Sequence, residues 1–158
     1  MAERLHTRED SGIRLDRQLR WWHDGELIEH PNIIRAFNSG LEPTDDGRFI
    51  LRFGWDWCYV QVEDAAYAVT AVDATADGDG LSVRLSDGTA ERLEPGTVRV
   101  EDGVLTCRVK RERAKARFSR DAQYALGQLL EPAGAGVILR VGRLQLPVPN
   151  LDPAALTS

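Results

Sequence analysis

A chain of 158 residues, 42% of them hydrophobic, is long enough to bury a core and too apolar for the disordered class. Twenty basic and 25 acidic residues leave a net charge of −5, which argues against binding nucleic acid by bulk charge. No apolar run approaches the roughly 20 residues that span a bilayer, and Met1-Ala2-Glu3-Arg4-Leu5-His6 brings charge where an export signal needs an apolar stretch. A cytoplasmic protein without membrane contact is expected.

Six Asp-Gly steps punctuate the chain, at Asp24, Asp46, Asp77, Asp79, Asp87 and Asp102. Asp-Gly favours two-residue hairpin turns, because both central positions of a type I′ turn need φ > 0. In chain order, Ile13 and Leu15 alternate with polar residues, and strand-like runs at 19–23 and 26–28 flank the first step. Residues 31–40 read as a helix, with Pro31 where the first turn tolerates it and Gly40 at the stop. Runs at 48–53 and 57–62 form a hairpin in which Phe49, Leu51 and Phe53, and then Cys58, Val60 and Val62, alternate. Further strands are expected at 67–72, 81–85, 104–109 and 113–118. Ser119 can cap a second helix reaching Leu130, with Ala122, Ala125, Leu126 and Leu129 at helical spacing and Pro132 beyond it. Strands at 137–141 and 144–148 close the chain. Many strands with few, segregated helices make an α+β fold.

The chain also echoes itself. Phe49-Ile50-Leu51-Arg52-Phe53-Gly54 matches Val137-Ile138-Leu139-Arg140-Val141-Gly142 at a shift of 88 residues. The same shift lays the Pro31 helix start on Ser119 and the Asp24 turn on Glu112, so both halves read hairpin, helix, hairpin. A competing match of residues 46–62 with 102–118, at a shift of 56, covers one hairpin, and the longer register is preferred. The expected division is an N-terminal α+β half, 12–74, and a β-rich C-terminal half with one helix, 75–150.

Two constellations are candidates for binding. From Arg108 to Arg120 the chain carries +6, leaving −11 for the remainder, and in a strand over 113–118 Arg113, Lys115 and Arg117 share a face. Such cations can grip phosphate oxygens, although a solvated strand face has the same pattern. The indoles of Trp21, Trp55 and Trp57 offer flat surfaces for stacking or for cations, and tryptophan serves equally as core filler. Trp55 and Trp57 are read as sharing a strand face, and Trp21 and Trp22 as pointing oppositely. His23, beside the Asp24 turn, has no Ser/His/Asp or Cys/His partner at catalytic spacing, and His6 is placed in a loose tail. Cys58 and Cys107 form no CxxC pair and read as reduced, buried thiols. With His6, His23 and His30 the only histidines, no metal site and no cofactor are expected, and Gly134-Ala135-Gly136 enters a strand rather than a helix, the reverse of a phosphate-cradling loop.

Several stretches, in one order, resemble the bacterial domain-of-unknown-function family 1285. They are Trp21-Trp22-His23-Asp24-Gly25-Glu26-Leu27-Ile28, Pro31 to Phe37, Asp46-Gly47-Arg48-Phe49-Ile50-Leu51 and Val62-Glu63-Asp64-Ala65-Ala66-Tyr67. Ala116-Arg117-Phe118-Ser119-Arg120, followed by Tyr124 and Leu126, resembles the family's basic strand entering its second helix, and Gly142 to Pro147 its terminal hairpin. The resemblance implies a duplicated α+β core, a second half loosely similar to pleckstrin-homology-like domains, and a ligand site between the halves, with a nucleotide-like ligand and a signalling role. The sequence departs from the family at Ser86-Asp87-Gly88 and at Leu144-Gln145-Leu146.

The expectation is therefore a non-enzymatic regulatory or signal-transduction module that binds an anionic small ligand, such as a nucleotide, through Trp21, Trp55, Trp57, Arg113, Lys115 and Arg117. Its alternative is an adaptor that docks a protein partner through exposed tryptophans. An enzyme with an unrecognised site ranks last.

Overall fold

The alternation at Ile13 and Leu15 becomes a strand that organises the first sheet. In the computed structural model, which describes residues 6–156, Ile13–Leu15 (β1), Trp21–His23 (β2) and Glu26–Leu27 (β3) form a meander. Pro31–Gly40 (α1) follows, and Leu41–Pro43 (β4), Phe49–Phe53 (β5) and Asp56–Val62 (β6) return to the start. The sheet order is β3-β2-β1-β6-β5-β4, with β1 and β6 parallel at its centre and Leu15 beside Val62. The charged stretch Met1–Leu5 lies outside the described residues.

α1 starts as the sequence predicts, with Pro31 in the first turn and the His30 ring accepting from the Asn32 N–H. It ends against β5: a Cβ on Gly40 would lie 2.6 Å from the Arg52 carbonyl oxygen, so only glycine allows that approach. No residue of α1 is fully buried.

The second unit begins at Tyr67, where the chain divides into two compact units. Residues 67–74, which the sequence reading gave to the first half, form β7 (Tyr67–Ala74) and pair with Leu81–Leu85 (β8) and Ala114–Phe118 (β12). With Ala90–Arg92 (β9), Arg99–Glu101 (β10) and Val104–Val109 (β11), they make a sheet ordered β10-β11-β12-β7-β8-β9. Arg120–Gly127 (α2) follows, capped by the Ser119 hydroxyl accepting from Ala122 N. The helix stops at Gly127 rather than Leu130, because Leu130 already opens a strand opposite Leu139. That three-stranded sheet is Leu130–Ala133 (β13), Gly136–Val141 (β14) and Leu144–Pro147 (β15). Among the described residues, no helix is long and apolar enough to cross a membrane.

The internal likeness is present in two registers. Both six-stranded sheets have one topology, an outgoing meander and a returning one joined by a central parallel pair. Leu15 beside Val62 in the first is matched by Val69 beside Phe118 in the second. The next residue closes each pair alike: Glu63 N donates to Leu15 O at 3.0 Å and Ser119 N to Val69 O at 2.9 Å. These correspond at shifts of 54 to 56, the register the sequence reading set aside.

The preferred register of 88 also relates α1 to α2 and β5 to β14, and the strand that pairs with each follows at 89. Glu42 opposes Ile50 and Pro43 opposes Phe49, while Glu131 opposes Ile138 and Pro132 opposes Val137. Both units are α+β.

Candidate functional site

The β5–β6 hairpin decides what the first unit presents to solvent. Phe53 opposes Asp56, leaving Gly54 and Trp55 as a two-residue turn, with Gly54 at φ 58° in the first central position. Trp55 then has no strand neighbour on either face and is 98% exposed. It is therefore a tip residue and does not share a strand face with Trp57. Beside it the apolar surface continues. Phe53 is exposed, its ring lies 5.7 Å from that of Phe37, and Ile33 is exposed one turn earlier on the same face of α1.

Trp57 is half-buried one step inside the hairpin, edge-on to Tyr59 at 5.2 Å and covered by the Arg8 guanidinium at 4.7 Å. Trp21 is 1% exposed and belongs to the core, where its indole Nε1 donates to Asn38 Oδ1 at 2.8 Å and its ring meets Phe37 edge-on. Its neighbour Trp22 faces the other way, as expected, and donates to Asp16 Oδ2 at 2.8 Å. Asp16, itself buried, also accepts from the backbone of Gln18 and Arg20 and from Arg20 Nε. Burial pushes the Asp16 carboxyl up, but the donors from Trp22, Arg20 and Gln18 outweigh it and hold it below the usual range.

The basic segment lies in the second unit. Alternation along β12 buries Ala114, Ala116 and Phe118 and leaves Lys115 and Arg117 half-buried on the other face. Lys115 Nζ meets Glu101 Oε2 at 2.5 Å, and Lys110 Nζ meets Asp87 Oδ2 at 2.6 Å, so carboxylates already hold cations of this segment. Arg113 precedes the strand, on a four-residue turn in which Lys110, Arg111 and Glu112 all take left-handed φ, from 55° to 63°. Such a run costs about 1–2 kcal/mol per residue and persists only where surroundings fix it. Here the Glu91 carboxylate accepts from Lys110 N, and the Arg108 guanidinium donates to Glu112 O at 2.9 Å. The turn borders an open hollow of about 680 Å³ lined by Arg92, Arg108 and Arg111 with Glu91, Glu94 and Thr97.

His23 sits beside the Asp24 turn as the sequence predicts, whereas His6 is not in a loose tail. The segment ahead of β1 is tied down, with Tyr59 N donating to Arg8 O at 2.7 Å and Ser11 Oγ to Tyr59 O at 2.7 Å. That brings His6 to the Asp24 turn, its Nε2 2.8 Å from Asp24 Oδ2 and its ring 4.8 Å from that of His23. Seventeen intervening residues hide the pairing from any motif. Cys107 is buried and free, and Cys58 is free but only half-buried.

No protein-family model matches the chain, and no curated protein matches it. Among solved structures, a DUF1285 family protein from Silicibacter pomeroyi DSS-3 superposes with a TM-score of 0.63 at 21% identity, over 86% of this chain and 78% of that one. A second, from Shewanella baltica OS155, gives a TM-score of 0.54 at 20% identity, over 73% of this chain and 89% of that one. Those two likenesses, spread over most of the chain, establish that it has a DUF1285-like fold.

Proposed function

We propose that the chain is a non-catalytic regulatory module that works by docking a protein partner through the β5–β6 hairpin tip. The observation that carries this reading is Trp55, almost wholly exposed at a type II′-like turn. Leaving an indole in water forgoes about 1.5–3 kcal/mol of burial, and tryptophan is among the residues that dominate binding energy when a partner buries them. Phe53, Phe37 and Ile33 extend the apolar surface from the tip to α1. The partner this surface suits is a folded protein with an apolar pocket for the indole.

The test is capture of partners by the untagged chain and by Trp55→Ala, followed by titration of the recovered partner in purified form. Loss of an anchor worth about 2 kcal/mol weakens Kd roughly 30-fold. A partner that binds Trp55→Ala and wild type equally would sink the reading.

A second reading has its own observation. The left-handed turn at Lys110 to Glu112 sits on the rim of the hollow that holds Arg92, Arg108 and Arg111, which suits an anionic small ligand such as a nucleotide phosphate. Thermal-shift measurements with nucleotides and inorganic phosphate separate the two. Ligand-dependent stabilisation lost in Arg111→Ala and kept in Trp55→Ala favours the anion.

A further inference from the structure

Two imidazoles and a carboxylate converge on the first unit at a place no catalytic or docking argument uses. His23 ends β2, Asp24 opens the two-residue turn at φ 49°, and Asp24 N donates to Gly12 O at 2.9 Å, which fixes the carboxylate's backbone. His6 reaches them from the segment held against β6. One ligand atom from each of the three lies within 4.8 Å of the others. Asp24 Oδ2 is 2.8 Å from His6 Nε2 and 3.7 Å from His23 Nε2.

Two of those three separations suit a metal. Tetrahedral zinc with nitrogen and oxygen ligands at about 2.0–2.1 Å spaces them roughly 3.3 Å apart, and the two measured distances bracket that value. The side chains of His6 and Asp24 are each about a third exposed, so an ion can enter without unfolding anything. Two imidazoles and one carboxylate suit a borderline transition metal, where calcium and magnesium would want oxygen alone.

The geometry points to a site for one divalent transition-metal ion of the zinc class, held by His6, His23 and Asp24 and open at its fourth position. The ion takes the place of the proton shared between His6 Nε2 and Asp24 Oδ2, which leaves to solvent. The fourth position is filled by water from the adjoining hollow of about 490 Å³, whose lining includes His6, His23, Trp57 and Cys58. Because His6 precedes β1 and His23 ends β2, the ion ties the N-terminal segment to the sheet. The site is independent of the docking surface.

The experiment is calorimetric titration of the untagged full chain with zinc chloride, with magnesium chloride as the hard-cation control. One zinc per chain is expected, with no magnesium uptake and a rise in Tm of about 5 °C at a hundredfold excess over Kd. His6→Ala, His23→Ala and Asp24→Asn each weaken zinc at least about tenfold, whereas His30→Ala and Cys58→Ser leave it unchanged. Cobalt in place of zinc gives the strong visible absorption of a four-coordinate site. Absence of zinc uptake, uptake that survives His6→Ala, or uptake lost in His30→Ala or Cys58→Ser overturns the assignment. Circular dichroism checks each variant's fold, and if His23→Ala does not fold, His6→Ala decides alone.

Discussion

Arg140 lays two guanidinium nitrogens on the Glu131 carboxylate, Nε on Oε1 at 3.0 Å and Nη2 on Oε2 at 2.9 Å, one strand across and diagonal to it. The first unit repeats the arrangement: Arg52 Nε meets Glu42 Oε2 at 2.7 Å, from the same diagonal positions. The sequence carries the pair twice, as Leu-Glu-Pro at 41–43 and 130–132 followed by Ile-Leu-Arg at 50–52 and 138–140.

The Arg140 hydrogen bonds hold the Glu131 carboxyl below the usual glutamate range. Arg140→Ala removes them, so the Glu131 side-chain carbon, followed by NMR, titrates at higher pH in the variant than in the wild type. Both side chains are nearly half-exposed, and a surface pair contributes little. Tm therefore falls by no more than about 2 °C. An unchanged Glu131 titration would show that the pair does not persist in solution.

This pair also marks what could be read from sequence. The Ile-Leu-Arg echo was visible because β5 and β14 are long enough to carry five matched residues, and the strands at 81–85 and 104–109 appear with the bounds expected. Strands β4, β9, β10 and β13 run for three or four residues with at most one large aliphatic side chain each, where β1 has Ile13 and Leu15, so no alternation marks them in the sequence. The likeness of the two six-stranded sheets is one of pairing order, realised by different residues such as Leu15 and Val69, so only one hairpin betrayed it. The Asp-Gly signal was right about place and partly right about mechanism. Asp24 and Asp102 take positive φ as a type I′ turn requires, whereas at Asp46, Asp77 and Asp87 only the glycine does, and a threonine hydroxyl bonds the carboxylate instead. Site residues were least legible. Trp21 and Trp55 are one residue type with opposite exposures, and what separates them is a turn position and a pairing partner.

Asp16 accepts from four donors on its two oxygens. Asp16→Ala strands the Trp22 indole N–H and two backbone N–H groups in a partly buried loop. The cost is about 2–3 kcal/mol, as expected for hydrogen bonds to a charged acceptor. Asp16→Asn keeps one acceptor oxygen and costs less, about 1 kcal/mol. Urea unfolding followed by tryptophan fluorescence checks the order, and equal loss in both variants would mean that charge alone matters.

Asp87 supplies the acid sensitivity of the second unit. Burial pushes its carboxyl up, but donors from Lys110 and Thr89 outweigh this and hold it below the usual aspartate range. A depressed folded value means the stabilisation is fully present above the unfolded value and drains away as pH falls through the folded one. Stability thus drops below about pH 4, and Asp87→Asn flattens that part of the curve. At neutral pH Asp87→Ala costs about 2 kcal/mol, less than for a fully buried pair because Lys110 keeps some water. Urea midpoints at pH 3, 4 and 7 test this, and an Asp87→Asn curve parallel to wild type would refute it.

The thiols differ in kind. Burial, with Glu91 adding like charge, pushes Cys107 up to about 12, so at pH 8 it carries almost no reactive thiolate. It also lies inside the β10–β11–β12 layer, 1% exposed, where no alkylating reagent reaches it. Cys58 is raised too, chiefly by burial, yet its side chain reaches the hollow beside His6 and Trp57. Iodoacetamide at pH 8 therefore labels Cys58 slowly in the native protein and Cys107 only as the second unit opens. The Cys107 labelling rate rises with urea in parallel with unfolding of that unit. Peptide mass spectrometry reads both sites at once, and native labelling of Cys107 at the pace of Cys58 would mean that the second sheet opens far more often than its buried Val69, Val83 and Val109 allow.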